Sequence, residues 1–423
     1  MKCHPFEPLP LGRISHPRRG FTLVELMVAI TGGLLVSIVV FALARDATRF
    51  YKRESRIGDA TLGTVIGFER LRAEISRAGF LASANVTSDT SLCGQGALPG
   101  ELQRLASVRI IQDATTGNAV LQANELSPDA IVLAGNYQSA DQFPIWGVSS
   151  DASAGTRVFL QARIGPLARR NYMSGAEAVR LALLQSLFPA QRALRIVDEA
   201  GRVQYGIISS VGDADVDPDP AHPKAEPFIT LATSPGLTYR AGAATVCGLK
   251  SNELGVVSVV NFVRYDVRSL SGVTGYAPLY DQDAGATPFD TGRTELVRSE
   301  LRADQQDVEI ADSAELVAEH AVDLEFGLTV MDPAGLRTLP PGNGEIGNYA
   351  GDVTGGTASP ERIRAVRVRL SVRSSEPDRA MDVDPDAGPG LYRIDLGAQA
   401  APLPFARVRT LQADVALPNQ GAQ

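Results

Sequence analysis

The sequence predicts an α+β protein: a long N-terminal α-helix packed on a large, mainly antiparallel β domain. Three observations predict it. An apolar run from Phe21 to Ala44 passes, without a proline, into an amphipathic stretch that ends near Gly79. From about residue 100 onward, short Val- and Ile-rich runs alternate with turn signals, the pattern of strands joined by loops. Only one later segment, 175–188, has good helical periodicity.

With 423 residues, the chain has room for two or three domain-sized units and a sizeable core. Its net charge is −8. Residues 1–20 carry Lys2, Arg13, Arg18 and Arg19 against Glu7, a local +3; subtracting it from −8 leaves −11 for the remainder. An acidic body argues against nonspecific nucleic-acid binding, which is driven by cationic neutralisation of phosphate. Simple solubility accounts for it equally well.

The first element is the apolar run. Phe21–Ala44 holds 24 residues and one charge, Glu25, before Arg45 and Asp46 end it. At 1.5 Å per residue this is about 36 Å of helix, enough to cross a bilayer. Basic residues precede it, so the positive-inside tendency puts residues 1–20 in the cytoplasm and the rest outside. Three readings compete. One is a signal peptide cleaved after the small-x-small site Ala42–Leu43–Ala44. Another is a plain signal anchor. Neither has a use for Glu25, since a carboxylate inside a membrane segment is costly and usually has a partner.

The third reading uses that acid. The stretch RRGFTLVEL, from Arg18 to Leu26, resembles the type IV prepilin signature. In that family a dedicated peptidase cuts after the glycine, here Gly20. The new N-terminal residue, here Phe21, is N-methylated. The acid at the fifth mature position, here Glu25, pairs with the positive N-terminus of a neighbouring subunit. The physics agrees, because a buried ammonium and a buried carboxylate are each expensive alone and pairing offsets much of both costs. The resemblance implies a leader over residues 1–20 and a single-pass protein of the inner membrane. Its globular domain would lie in the periplasm and later on a surface pilus. The implied partners are other major and minor pilins, met through the N-terminal helix, the prepilin peptidase, and the pilus assembly platform.

The second element continues the first. Leu62, Val65, Phe68, Leu71, Ile75 and Ala78 recur at spacings of three and four, one apolar stripe of a helix. Arg70 and Glu74 are four apart and suited to pair weakly. A helix over Phe21–Ala78 would have 58 residues and span about 87 Å. Residues 21–44 form its membrane and assembly half, and residues 45–80 its amphipathic half. An ordinary anchor followed by a domain helix would show the same stripe. Gly32–Gly33, Gly58, Gly63 and Gly67 are expected to be weak points, each costing about 1 kcal/mol relative to Ala.

Residues 81–423 form the β-rich globular part. Strand signals fall at 107–112, 130–135, 156–162, 194–199, 203–209, 256–268, 321–330 and 362–374, with a final strand expected after Pro402. The run at 362–374 alternates Arg362, Arg364, Arg367, Arg369 and Arg373 with apolar residues. Its phase slips by one between Ala365 and Val366, as at a bulge. A half-solvated sheet face explains this alternation better than an anion-binding ribbon. Residues 332–360 read as a Gly/Pro-rich loop.

The C-terminal pattern AELVAEHAVDLEFGLTVMDPAG, then a loop, then PERIRAVRVRLSVRS, resembles PilW-type minor pilins of type IV pili. The two resemblances cover about residues 18–80 and 314–375. The stretch 90–310 between them is unusually large for such a protein and reads as holding an inserted subdomain.

Signals for chemistry are sparse. HExxH, GxSxG, Walker A and CxxC patterns do not occur. The four histidines are His4, His16, His222 and His320, and His320 reads as structural. Cys93 and Cys247 are a candidate disulfide in an oxidising compartment, with two buried thiols as the other reading. Asp213, Asp215, Asp217 and Asp219 alternate in a way that suits calcium, but Pro218 and Lys224 stand where an EF-hand has Gly and Glu. A solvated, proline-stiffened loop is the stronger reading there, and no cofactor is expected. The sequence therefore points to a structural minor pilin that takes part in pilus initiation or a tip complex, and not to an enzyme. The alternatives are a minor pseudopilin of a type II secretion system and, from another class, a membrane-anchored periplasmic enzyme or binding protein.

Overall fold

A computed structural model of the chain describes residues 22–94, 97–115, 118–151, 155–214, 226–238, 255–280, 292–375, 391–394 and 405–420. The chain divides into two compact units, Met1–Asp59 and Ala60–Gln423. The first helix, α1 (Leu23–Ser76, 54 residues), is continuous and passes through Gly32–Gly33 unbroken. It stops two residues before Ala78. Arg77 N and Ala78 N turn to the carbonyls of Glu74 and Ile75, the tighter bonding typical of a last turn. Gly79, at φ +76°, then makes the exit, and its N–H donates to Ala134 O at 2.8 Å.

In the second unit the strands are β1 (Val108–Ile111), β2 (Ala130–Gly135), β3 (Phe143–Asp151), β4 (Gly155–Leu160), β5 (Ala193–Asp198), β6 (Val203–Ala214), β7 (Glu226–Leu231) and β8 (Gly255–Arg268). They continue with β9 (Glu295–Leu301), β10 (Glu315–Ala318), β11 (Ala321–Asp332), β12 (Gly335–Leu339), β13 (Ile363–Arg373), β14 (Leu391–Arg393) and β15 (Phe405–Ala416). The short helices are α2 (Ala119–Ala123), α3 (Gly165–Arg169), α4 (Glu177–Leu187) and α5 (Gly347–Ala350). Every pairing between these strands is antiparallel.

Strand β8 organises the first sheet. Its first half pairs with β3 on one side and β5 on the other, closing a six-stranded barrel in the order β8–β3–β4–β7–β6–β5. Its second half pairs with β2 and β9, which carry β1 and β10 outside them. The odd-numbered residues of β8 form one face, apolar on either side of the buried Asn261. Val257 and Val259 fill the barrel, while Val263, Tyr265 and Val267 enter the core beneath the helix. The even-numbered Val260 and Phe262 enter a third cluster on the other face. Both faces are covered, which is why this strand reads as a nearly unbroken apolar run. Residues 90–310 lie within the second unit, and the barrel draws on residues 143–260 of them.

The second sheet has the order β12–β11–β13–β15–β14. Val366, Val368 and Leu370 on β13 and Phe326 and Leu328 on β11 meet the helix residues Phe68, Leu71 and Ile75 in one core. Burying a side chain such as Leu71 or Ile75 is worth about 2 kcal/mol each. The irregularity in β13 lies one residue earlier than the sequence phase suggests. Thr329 pairs with Ala365 and Val330 with Ile363, so Arg364 is the extra residue. Both Arg364 and Ala365 are half-buried, which makes the apolar phase appear to slip at 365–366. On the opposite face Arg367 forks onto Asp414 (2.7 and 3.2 Å) and Arg369 meets Glu325 and Asp323, so these two arginines are matched by neighbouring strands.

The expected loop at 332–360 holds structure of its own. Asp332 pairs with Gly335 to close a two-residue hairpin into β12, and Ile346, Ala350 and Val353 are fully buried. The final strand after Pro402 is β15. The helix expected over 175–188 is α4; its Leu184 and the Phe188 that caps it help fill one region of the barrel core, Phe188 lying edge-on to Phe143 at 4.8 Å.

Gly67 is not a weak point. A Cβ placed there would stand 2.4 Å from Val317 O, so the absent side chain is what lets α1 lie against the backbone of β10. Gly63, one turn earlier, faces open space.

Candidate functional site

The site lies at the start of α1 and is built by two side chains. Thr22 precedes the helix and Glu25 sits in its first turn. Thr22 N and Thr22 Oγ1 both donate to Glu25 Oε2 at 2.9 Å, and Glu25 N donates back to Thr22 Oγ1 at 3.2 Å. This reciprocal arrangement is a capping box, and it satisfies donors that a helix start otherwise leaves bare. The carboxylate also lies at the positive end of the helix dipole. The spacing Thr-x-x-Glu, Thr22 to Glu25, is the sequence signal for such a box.

The rest of the helical segment is prepared for an apolar environment. Leu23–Thr48 is long and apolar enough to cross a membrane, and none of it is buried within the protein. Leu23, Met27, Leu34, Phe41 and Leu43 are each more than half exposed. Its other hydroxyls are turned inward onto the helix. Thr31 donates to Met27 O at 2.9 Å, Ser37 to Gly33 O at 2.8 Å, and Thr48 to Ala44 O at 2.7 Å. With no water available, such bonds to the preceding turn remove the cost of a bare hydroxyl. Glu25 Oε1 has no hydrogen-bond partner among the described residues. One oxygen is thus held by Thr22, and the other faces outward from an apolar helix.

Gly20 and Phe21 lie outside the described residues. So do Cys247, Asp215, Asp217 and Asp219. Cys93 is fully buried and disulfide-bonded, and its N–H donates to Val203 O at 2.9 Å, tying this loop to β6. Asp213 ends up on β6 as the ion-pair partner of Arg180, whose guanidinium lies 6.0 Å from the Tyr172 ring. Among the described residues no group of three or more His, Cys, Asp or Glu could hold a metal ion. His320 occupies a turn at φ +55°, where its backbone accepts from Arg373 N and donates to Glu295. Burial, with Arg373 and Arg293 nearby, lowers its pKa to about 3.

The ion pairs that fix α1 to the sheet were not legible in the sequence. Arg70 and Glu74 approach to 3.7 Å, but Glu74 makes its closer contact with Arg298 of β9 at 3.0 Å. Arg70 reaches Glu315 of β10. A second buried pair, Glu101 with Arg109 at 2.8 Å, joins the segment after α1 to β1. Glu74 and Arg298, and Arg70 and Glu315, lie more than two hundred residues apart, and no local spacing announces these two pairs.

Comparison with known proteins matches residues 15–31 to the prokaryotic N-terminal methylation motif. The matched stretch contains Gly20, Phe21 and Glu25 and runs into the apolar helix. No curated protein and no solved structure matches the chain.

Proposed function

We propose that the chain, which carries this methylation motif at the head of a membrane-length helix, is a structural minor pilin of the PilW type and not an enzyme. It is inserted in the inner membrane and cut after Gly20 by the prepilin peptidase. It is then methylated on Phe21 and incorporated through its helix into a type IV pilus as part of an initiation or tip complex.

The observation that carries the proposal is the joint presence of the motif and an outward-facing carboxylate oxygen on Glu25. Cutting after Gly20 creates an α-ammonium at Phe21, four residues before that acid. The capping box holds one oxygen of Glu25 within its own chain, and the other is available to the ammonium of a neighbour. Apolar contact between helices supplies most of the assembly energy, and the charge pair sets the axial register. A minor pseudopilin of a type II secretion system would share this signal. The C-terminal stretch ending in RVRLSVRS favours the pilus.

Glu25→Ala is expected to leave membrane insertion intact and to impair piliation, read by counting surface pili. A mutant with normal piliation would overturn the proposed role of Glu25.

A further inference from the structure

The second sheet leaves one long edge open. Ser374 N donates to Arg407 O and Leu417 N to Arg364 O, both at 2.9 Å. In an antiparallel ladder, residues that exchange bonds with a given neighbour alternate along the strand. The odd-numbered residues of β15 therefore bond to β13, and the even-numbered ones turn their N–H and C=O to the other side. On that side β14 covers only Phe405–Arg407. Beyond it Thr410, Gln412 and Asp414 are exposed, and their outward backbone groups have no hydrogen-bond partner among the described residues.

This edge is regular and unguarded. Ala365–Arg373 of β13 pair with Val408–Ala416 of β15 without a register shift. Natural sheets protect such edges with short strands, bulges, prolines or free charges. The opposite edge has these guards, since β12 is only 5 residues long, exposes Arg337 and runs into Pro340 and Pro341. In β15, past Arg409, the stretch Thr410–Ala416 contains no lysine, arginine or proline. Its one acid, Asp414, is held by Arg367 at 2.7 and 3.2 Å.

We propose that the open edge of β15 is a strand-addition site, which takes an extended segment of another polypeptide as a further strand of this sheet. The pleat sets the chemistry of that segment, whose side chains alternate between the two faces. On one face they lie beside Leu411 and Ala413, which are half-buried at the margin of the core, so apolar side chains belong there. On the other face they lie beside Thr410 and Gln412. Small uncharged polar side chains belong there, because Arg367 already neutralises Asp414 and Thr410 Oγ1 lies 3.0 Å from Ser371 Oγ. A second copy of the chain does not fit. Antiparallel pairing of two β15 edges places a two-fold axis normal to the sheet. That axis reverses the helix segment carrying Phe68, Leu71 and Ile75, which packs on the sheet. Copies inserted from the same side of one membrane have parallel helices, so this exclusion rests on the proposed insertion, whereas the open edge does not. Pairing with the β12 of another copy meets the guards on that strand.

The test uses the full chain in mild detergent and a short fluorescent peptide of alternating valine and threonine with a lysine at each end. Binding, read by anisotropy, is expected to saturate and to change less than about twofold between low and high salt, since the edge offers no free charge. Gln412→Pro removes one outward N–H and leaves the ladder to β13 intact. It should keep the thermal midpoint within a few degrees of wild type and weaken the peptide about tenfold or more. Ala413→Pro breaks a ladder bond and should lower the midpoint much further. In the source membranes, p-benzoylphenylalanine in place of Gln412 should crosslink the chain to a different polypeptide. A Gln412→Pro chain that unfolds as Ala413→Pro does would refute the open edge. No peptide binding, or binding that Gln412→Pro leaves unchanged, would overturn the strand-addition site. No crosslink, a crosslink between two copies only, or self-association that Gln412→Pro abolishes would refute the assignment to another chain.

Discussion

Gly63 and Gly67 lie one turn apart on α1, and replacing each by alanine should have opposite effects. At Gly63 an added Cβ meets nothing within 4 Å, so Gly63→Ala gains helix propensity, about 0.5–1 kcal/mol. At Gly67 the same methyl group would stand 2.4 Å from Val317 O and 3.1 Å from Val317 C and Cγ1. Carbon and oxygen rest at about 3.3 Å, so the helix must withdraw from β10 by nearly 1 Å. That motion works against the neighbouring core contacts of Phe68 and Leu71 and against the Glu74–Arg298 pair. Overpacking of this kind costs about 1–3 kcal/mol, which exceeds the propensity gain. The two variants should therefore differ by about 2 kcal/mol, Gly67→Ala being the less stable. Hydrogen exchange of the α1 amides over 68–76, measured on the full chain in detergent, reads this directly. Protection in Gly67→Ala equal to or greater than in Gly63→Ala would refute the claim that Gly67 is needed for close approach.

Glu74→Ala should destabilise the second unit by about 2–4 kcal/mol, because Arg298 stays buried with only Glu300 at 3.7 Å and Glu315 at 3.9 Å nearby; thermal denaturation of the variant checks it. Asp129, which accepts from Asp113 N and Phe326 N, is pushed up from 3.8 to about 6, mainly by burial. A raised carboxyl pKa gives stability that is present below about pH 4 and is lost as pH rises through 6. Asp129→Asn removes this loss, so on moving from pH 4 to pH 7 the variant should gain up to about 3 kcal/mol relative to wild type. Denaturation at both pH values would show it, and an equal difference between the two proteins at each pH would contradict it.

Elements whose signal is local were legible in the sequence. The alternation of β13, the apolar run of β8 and the stripe of α1 each follow from one periodicity, and each element forms where expected. Strands β3, β7 and β9 were not foreseen. Pro144 and Gly147 interrupt β3, and Pro227 opens a short β7. In β9 the charged Glu295 and Arg298 are buried, Glu295 against Arg293 two residues before it and Arg298 against Glu74 from the distant α1. Barrel closure rests on β8 meeting β5 about sixty residues away, and no window of sequence encodes that pairing. At the candidate site, the motif and Glu25 were plain from spacing alone. The hold of Thr22 on one carboxylate oxygen has a local signal in the Thr-x-x-Glu spacing, whereas the inward bonding of Thr31, Ser37 and Thr48 follows only from the helix geometry. Gly67 shows the limit from the other side, because propensity marks a glycine as a weak point when its neighbour across the fold is unknown.

The central claim is that the chain is processed as a type IV prepilin. Mass spectrometry of the mature N-terminus tests it most directly. The expected result is a chain beginning at N-methylated Phe21, with residues 1–20 absent. A mature chain that begins at Met1, or at Arg45 after loss of the whole apolar run, would contradict it.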